Sequence, residues 1–280
     1  MERIKLAIEK AKAGEIDSSS PDAQQLRRTW DSRKTEVKAQ IAATDPGSVQ
    51  YAHTAVVALD AAHLERHRVV SHQKEHPASW AFDVLRTQVL QKMDEKGWRT
   101  LAITSPSVES GKTVVAINLA LSIAQLTNRT SLLVDFDLRR PSVARTLGLN
   151  RSLSLNDYFD GRASIGEAMV NPGVERLVVL PTNSPVTGAS EVLSSARVGN
   201  FISELRERYS DRIVIFDLPP ILAADDVMTV LPRMDCVLMV VGSGVSTQDE
   251  VEEGMNRLSK ANLLGVVLNK DEALAQNAYY

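Results

Sequence analysis

One cysteine, Cys236, stands in 280 residues, so no disulfide can form within the chain. It borders an apolar run, Val237 to Val240, and reads as a buried, inert thiol rather than a nucleophile. Long hydrophobic runs are missing too: no stretch approaches the ~20 apolar residues that cross a bilayer. Met1 to Ala13 is charged throughout and lacks a signal peptide's apolar core, so any membrane association is expected to come through a partner or surface contact. Nor is there an excess of positive charge. The net charge of −3 gives no reason to expect a nucleic-acid partner, which needs a basic face. What is present, 44% hydrophobic and 24% charged residues over this length, suits one large α/β domain plus an appendage.

Ile4, Ala7, Ile8 and Ala11 recur at helical spacing and Gly14 follows as a stop. The thin apolar face favours packing over a membrane-surface role. Glu15 to Gln50 is polar, with Ser18, Ser19, Ser20, Pro21, Pro46 and Gly47, and reads as a flexible linker with room for a helix around Gln24 to Ala42. Val56, Val57 and Leu59 predict a short strand, and Trp80 to Met93 a helix. Beyond Trp98 apolar runs of strand length alternate with helical patterns: Thr100–Thr104, Ser131–Phe136, Leu177–Leu180, Ile213–Phe216, Val237–Val241 and Leu264–Leu268. Continuous apolar strands separated by helices predict a mainly parallel sheet flanked by helices, with any ligand at the carboxyl ends of the strands. The expected division is an N-terminal helix and linker over 1–50, a nucleotide-binding domain over 51–270 and a mobile tail over 271–280.

The residues just past three of these runs carry the chemistry. Strand Leu101–Thr104 leads into Ser105-Pro-Ser-Val-Glu-Ser-Gly-Lys-Thr113 and then a helix from Val114 to about Leu126. Strand, small-residue loop, Gly-Lys-Thr and helix are the parts of a phosphate cradle. N–H groups from Ser110 to Val114 face phosphate, Lys112 neutralises its oxygens and Thr113 offers a hydroxyl to Mg²⁺. Gly111 lets the backbone approach without a Cβ in the way. The pattern deviates from the strict Walker form, since Pro106 stands where the first glycine belongs. Lys112 is expected to serve the nucleotide, its replacement by methionine leaving the fold intact.

The second strand ends in Leu132-Leu-Val-Asp-Phe-Asp-Leu-Arg-Arg-Pro141. Asp135 and Asp137 have the alternate spacing that points side chains to one side of a strand. Beside a phosphate chain they can hold Mg²⁺ and accept a proton from an attacking hydroxyl. Arg139 and Arg140 are candidates for phosphate or a neighbouring subunit. The third site, Ile213-Val-Ile-Phe-Asp-Leu-Pro-Pro220, presents Asp217 after an apolar run as a metal-supporting carboxylate.

In this order the three elements resemble the bacterial tyrosine kinases of capsule and exopolysaccharide synthesis, within the wider class of Min- and Par-type P-loop ATPases. The matching text is Thr104-Ser-Pro, Gly111-Lys-Thr, Val134-Asp-Phe-Asp-Leu-Arg-Arg-Pro141, Asp217-Leu-Pro-Pro220, Gly265-Val-Val-Leu-Asn269 and the terminal Tyr279-Tyr280, over roughly 80–280. The loop departs from the family's Pro-Gly-Glu with Val108-Glu109-Ser110, and the helix before the first strand lacks the usual charged interface motif. The resemblance implies ATP and Mg²⁺ as cofactors and an ATP-dependent autokinase with Lys112, Asp135 and Asp137 catalytic. By the same resemblance Thr113, Asp135 and Asp217 lie at the metal, Asn269 at the adenine edge, and Tyr279 and Tyr280 accept phosphate. It also implies an inner-membrane polysaccharide co-polymerase or chain-length determinant as activator, a homo-oligomer, and a place at the inner face of that membrane. The competing reading is a nucleotide switch that binds ATP and docks a polysaccharide-machinery or localisation partner.

Overall fold

Strands made of unbroken Val, Ile and Leu are most stable where both faces of the sheet are covered, and the central strands here are, while the edge run Leu264–Leu268 leaves Val266 and Leu268 exposed. The computed structural model describes residues 54–126, 128–150, 153–208 and 211–271. The expected N-terminal helix and linker, and Tyr279 and Tyr280, lie outside these residues. Eight strands form one sheet: β1 (Ala55–Val56), β2 (Thr100–Thr104), β3 (Thr130–Asp135), β4 (Val170–Asn171), β5 (Leu177–Leu180), β6 (Arg212–Asp217), β7 (Cys236–Gly242) and β8 (Leu263–Asn269). Their order is β1-β4-β5-β3-β6-β2-β7-β8, and every neighbouring pair is parallel except β4 with β5. The six long runs expected from the sequence are strands to within a residue or so at each end. The two-residue β4, with its antiparallel step, has no counterpart among the runs.

Helices cover both faces. On one side the helices Ser79–Lys96 and Lys112–Ala124 bury Val89, Met93, Ile117 and Leu121 against the sheet. On the other, Phe136 stacks on Phe201 at 5.9 Å and meets Phe216 edge-on at 5.4 Å, in a core closed by the helix Ala196–Glu207. Cys236 is fully buried at the start of β7, and burial pushes its thiol up to about 12.

The segment between β1 and β2 is tied to the helix Lys112–Ala124 by one buried amide. Asn118 Oδ1 accepts from the N–H groups of Val70 (2.8 Å) and Ser71 (2.9 Å), while Nδ2 donates to the carbonyl of Arg68 at 3.0 Å. A buried polar group inside an otherwise apolar helix is kept because it satisfies backbone groups that would lack partners.

Candidate active site

Strand order creates the site. β6 lies between β3 and β2, in register such that Asp135 and Ile103 are both the cross-strand partners of Asp217. Parallel neighbours stand ~4.8 Å apart with side chains in step, so the carboxyl ends of β3 and β6 bring two carboxylates together beside the loop that follows β2. Both are fully buried.

That loop is rigidly held. Gly111 adopts a left-handed conformation (φ +86°), and a Cβ there would stand 2.2 Å from Asn269 Nδ2. Only glycine fits. Asn269, at the end of β8, donates from Nδ2 to the Ser110 carbonyl at 2.9 Å. The Ser110 hydroxyl donates to the Ser107 carbonyl (3.0 Å) and lies 3.2 Å from Ser246 Oγ in the turn after β7. The residue expected at the adenine edge is thus engaged with the phosphate loop itself. Gly111 begins the helix Lys112–Ala124 without a side-chain cap, leaving its first N–H groups directed at the loop's mouth.

Lys112 turns inward. Its Nζ is 3.0 Å from Asp137 Oδ2 and 3.4 Å from Asp217 Oδ1. Thr113 donates its hydroxyl proton to Asp217 Oδ2 at 2.6 Å, which leaves oxygen lone pairs free, and meets Ser142 Oγ at 3.0 Å. Asp135 Oδ2 accepts from the N–H groups of Ser142 and Val143, each at 2.9 Å, whereas the buried Oδ1 has no hydrogen-bond partner among the described residues. Asp137, past the end of β3, also accepts the Arg140 N–H at 3.0 Å. Lys112, Thr113, Asp135, Asp137 and Asp217 therefore converge on one point, Ser110, Gly111 and Asn269 form or brace its rim, and Val114 is the third residue of the helix behind it.

Burial and charge set the protonation. Burial pushes Asp135 well above the usual carboxylate range, reinforced by Asp217. Asp217 is raised by burial despite the opposing pull of Lys112. For Lys112 burial acts downward, but Asp217 and Asp137 outweigh it and the ammonium is held above its ordinary value.

These residues fit a nucleotide phosphate with its metal. An unmade hydrogen bond at a buried carboxylate oxygen calls for a polar partner. Among the described residues no cluster of three or more acidic, histidine or cysteine side chains can hold an ion alone. Mg²⁺ takes one or two protein oxygens, with phosphate and water completing its shell, and the Thr113 hydroxyl and the unpartnered Asp135 Oδ1 are oxygens of that kind.

One candidate goes elsewhere than the sequence suggests. Arg139, a candidate for phosphate, pairs with Asp226 at 2.5 Å and bonds Ser190 at 3.0 Å, anchoring the acidic loop. Sequence reasoning also misses Ser142 and Ser246. Ser142 follows Pro141 at the start of a short helix, a readable capping position, but nothing local predicts contact with Thr113. The cleft of about 610 Å³ lined by Phe159, Arg162, Val186, Glu191 and Arg197 contains none of the predicted site residues.

No protein-family model matches the chain. Among curated proteins it is 33% identical over 187 residues to the tyrosine-protein kinase Wzc of Salmonella typhi, covering 66% of this chain and 26% of that protein. The chain thus spans about a quarter of the length of relatives such as Wzc and the Escherichia coli kinase Etk. Among solved structures it matches the kinase domain of Etk with a TM-score of 0.67 and 27% identity, covering 77% of this chain and 88% of that one. The septum-site protein MinD of Pyrococcus horikoshii, at 22% identity and a TM-score of 0.52, shares the fold over 64% of this chain and 76% of its own. By sequence and by fold, the chain is a homologue of the bacterial tyrosine-protein kinases, matching their kinase domain.

Proposed function

We propose that this chain is an ATP-dependent protein-tyrosine kinase that phosphorylates its own terminal tyrosines, Tyr279 and Tyr280, in exopolysaccharide synthesis. The observation that carries this reading is the convergence of Lys112, Thr113, Asp135, Asp137 and Asp217 at the carboxyl ends of three adjacent strands. Bound Mg-ATP supplies the transferable phosphoryl group and the metal's positive charge. The helix N-terminus and Lys112 hold phosphate oxygens. Thr113 and Asp217 serve the metal directly or through water, with Asp135 supplying its unpaired oxygen. Asp137, two residues past the end of β3 and buried beside Lys112, accepts the proton of the tyrosine hydroxyl. Homology to kinases named for tyrosine supports the acceptor class. The partner in this reading is an inner-membrane polysaccharide co-polymerase that activates the kinase, with transfer in trans within a homo-oligomer. Among the described residues no helix is long and apolar enough to cross a membrane.

The second reading, a nucleotide switch without kinase activity, is favoured by one feature: the loop carries Glu109 in a left-handed conformation, φ +63°. Incubation with Mg-ATP and detection of phosphotyrosine separates the two. A kinase incorporates phosphate into the chain, with or without the activator's stimulus; a switch hydrolyses ATP and leaves the tyrosines unmodified.

A further inference from the structure

Carboxylates outnumber ammonium groups at this site. Lys112 faces Asp137 and Asp217 at 3.0 and 3.4 Å, with Asp135 buried beside them. Arg139 is committed to the buried Asp226, and a further cation beside the loop is Lys270, whose Cε lies 3.9 Å from where a Cβ on Gly111 would stand. A fourth carboxylate belongs to the loop itself. Glu109 is exposed, and among the described residues nothing hydrogen-bonds or ion-pairs with its side chain.

Glu109 cannot easily carry that charge away. On its carboxyl side Ser110 is buried, with its carbonyl held by Asn269 and its hydroxyl by Ser107 and Ser246. On its amino side the Ser107 carbonyl also accepts from Ser105 Oγ at 2.7 Å. A Cβ on Gly242 would lie 3.1 Å from the Ser110 Cα, so the turn after β7 closes the loop from behind. Glu109 keeps a left-handed φ of +63°, which side chains rarely adopt and which persists only where the surroundings impose it. Only its own side-chain torsions remain free. Two residues before the helix-starting Gly111, the carboxylate stays within about one Debye length (~8 Å) of anything the helix N-terminus holds.

We infer that Glu109 is an electrostatic determinant of nucleotide exchange: its charge weakens polyphosphate binding, hastens release of the diphosphate and makes binding depend on a divalent metal. The inference rests on the nucleotide reading of the site. The effect grows with ligand charge. It is largest for metal-free ATP, smaller for Mg-ATP and Mg-ADP, and absent for adenosine.

Glu109→Gln removes the charge at constant shape, and Glu109→Gly also relieves the backbone. The position is solvent-exposed and neither change empties a core. Binding and release of Mg-ADP, Mg-ATP and metal-free ATP are measured by calorimetry and stopped-flow at low and high salt. Glu109→Gln is expected to tighten Mg-ADP about three- to tenfold, mostly through slower release, with the gain shrinking at high salt. A Glu109→Gln variant that binds and releases Mg-ADP as the parent does at low salt overturns the inference, even if Glu109→Gly binds more tightly, because strain and not charge would then be responsible. A parent chain that binds no nucleotide with or without Mg²⁺ overturns the nucleotide reading itself, and this inference with it.

Discussion

Replacing Lys112 by methionine tests whether the buried charge cluster is as tightly balanced as its geometry implies. The sequence alone assigns Lys112 to the nucleotide and leaves the fold indifferent to its loss. In the structure it is the cation between Asp137 and Asp217, with only 11% of its side chain exposed. Removing one partner of a buried ion pair costs about 3–5 kcal/mol, because the remaining charge keeps its desolvation penalty and loses its compensation. Proton uptake by Asp135 and Asp217 limits the loss, so the lower end, about 3 kcal/mol, is the expectation at neutral pH. For a domain of this size that is about 6–12 °C in Tm. The sign with pH follows from the raised carboxyl groups. A group whose folded pKa lies above its unfolded one stabilises the fold at low pH, and that contribution is lost as pH rises through the folded pKa. Without Lys112 both carboxyls are pushed higher still. The gap in Tm between parent and variant should therefore be wide at pH 7.5 and narrow at pH 5. Thermal melts at both values read this out. Equal Tm at pH 7.5, or a gap that widens on acidification, would refute the reasoning.

Asp135→Asn and Asp137→Asn are expected to bind Mg-ATP yet lose phosphoryl transfer and hydrolysis by about 100-fold, since metal placement and proton acceptance fail together; parental turnover in both variants excludes a catalytic role. Cys236, fully buried and with its thiol pushed up to about 12, should resist iodoacetamide at pH 8 in the native state and react once the chain is unfolded in denaturant. Rapid labelling of the native protein would show that the core around β7 opens readily.

The sheet was legible because its central strands are buried on both faces and so read as unbroken apolar runs. The chemistry was legible because an α/β sheet presents it just past those runs, where Gly111-Lys-Thr, Asp135, Asp137 and Asp217 stand. What the sequence does not reveal depends on distant partners. β4 is too short to leave a pattern, and it exists because Val170 and Asn171 find β1 and β5. Arg139 reads as a phosphate ligand until Asp226, 87 residues on, takes it. Asn118 lies in an apolar helix where its one local partner, the Val114 carbonyl, does not explain it, since its other partners are backbone groups 47 to 50 residues earlier. Asn269 ends its strand, close to where the resemblance leads one to expect it, but its hold on Ser110 arises only when β8 is laid beside β7 at the edge of the sheet.

The most direct test of the central claim is to map phosphate on the chain after incubation with Mg-ATP, with and without the membrane activator. The tail is expected to carry the acceptors, each phosphotyrosine adding about −1.5 to −2 charge and driving the modified tail from an acidic site. Mass spectrometry should then place phosphate on Tyr279 and Tyr280, and Tyr279→Phe/Tyr280→Phe should abolish nearly all of it while calorimetry shows Mg-ATP binding unchanged. Phosphate found mainly on Tyr158 or Tyr209, or none in the presence of the activator, would contradict the account, and in the second case the nucleotide switch becomes the better reading.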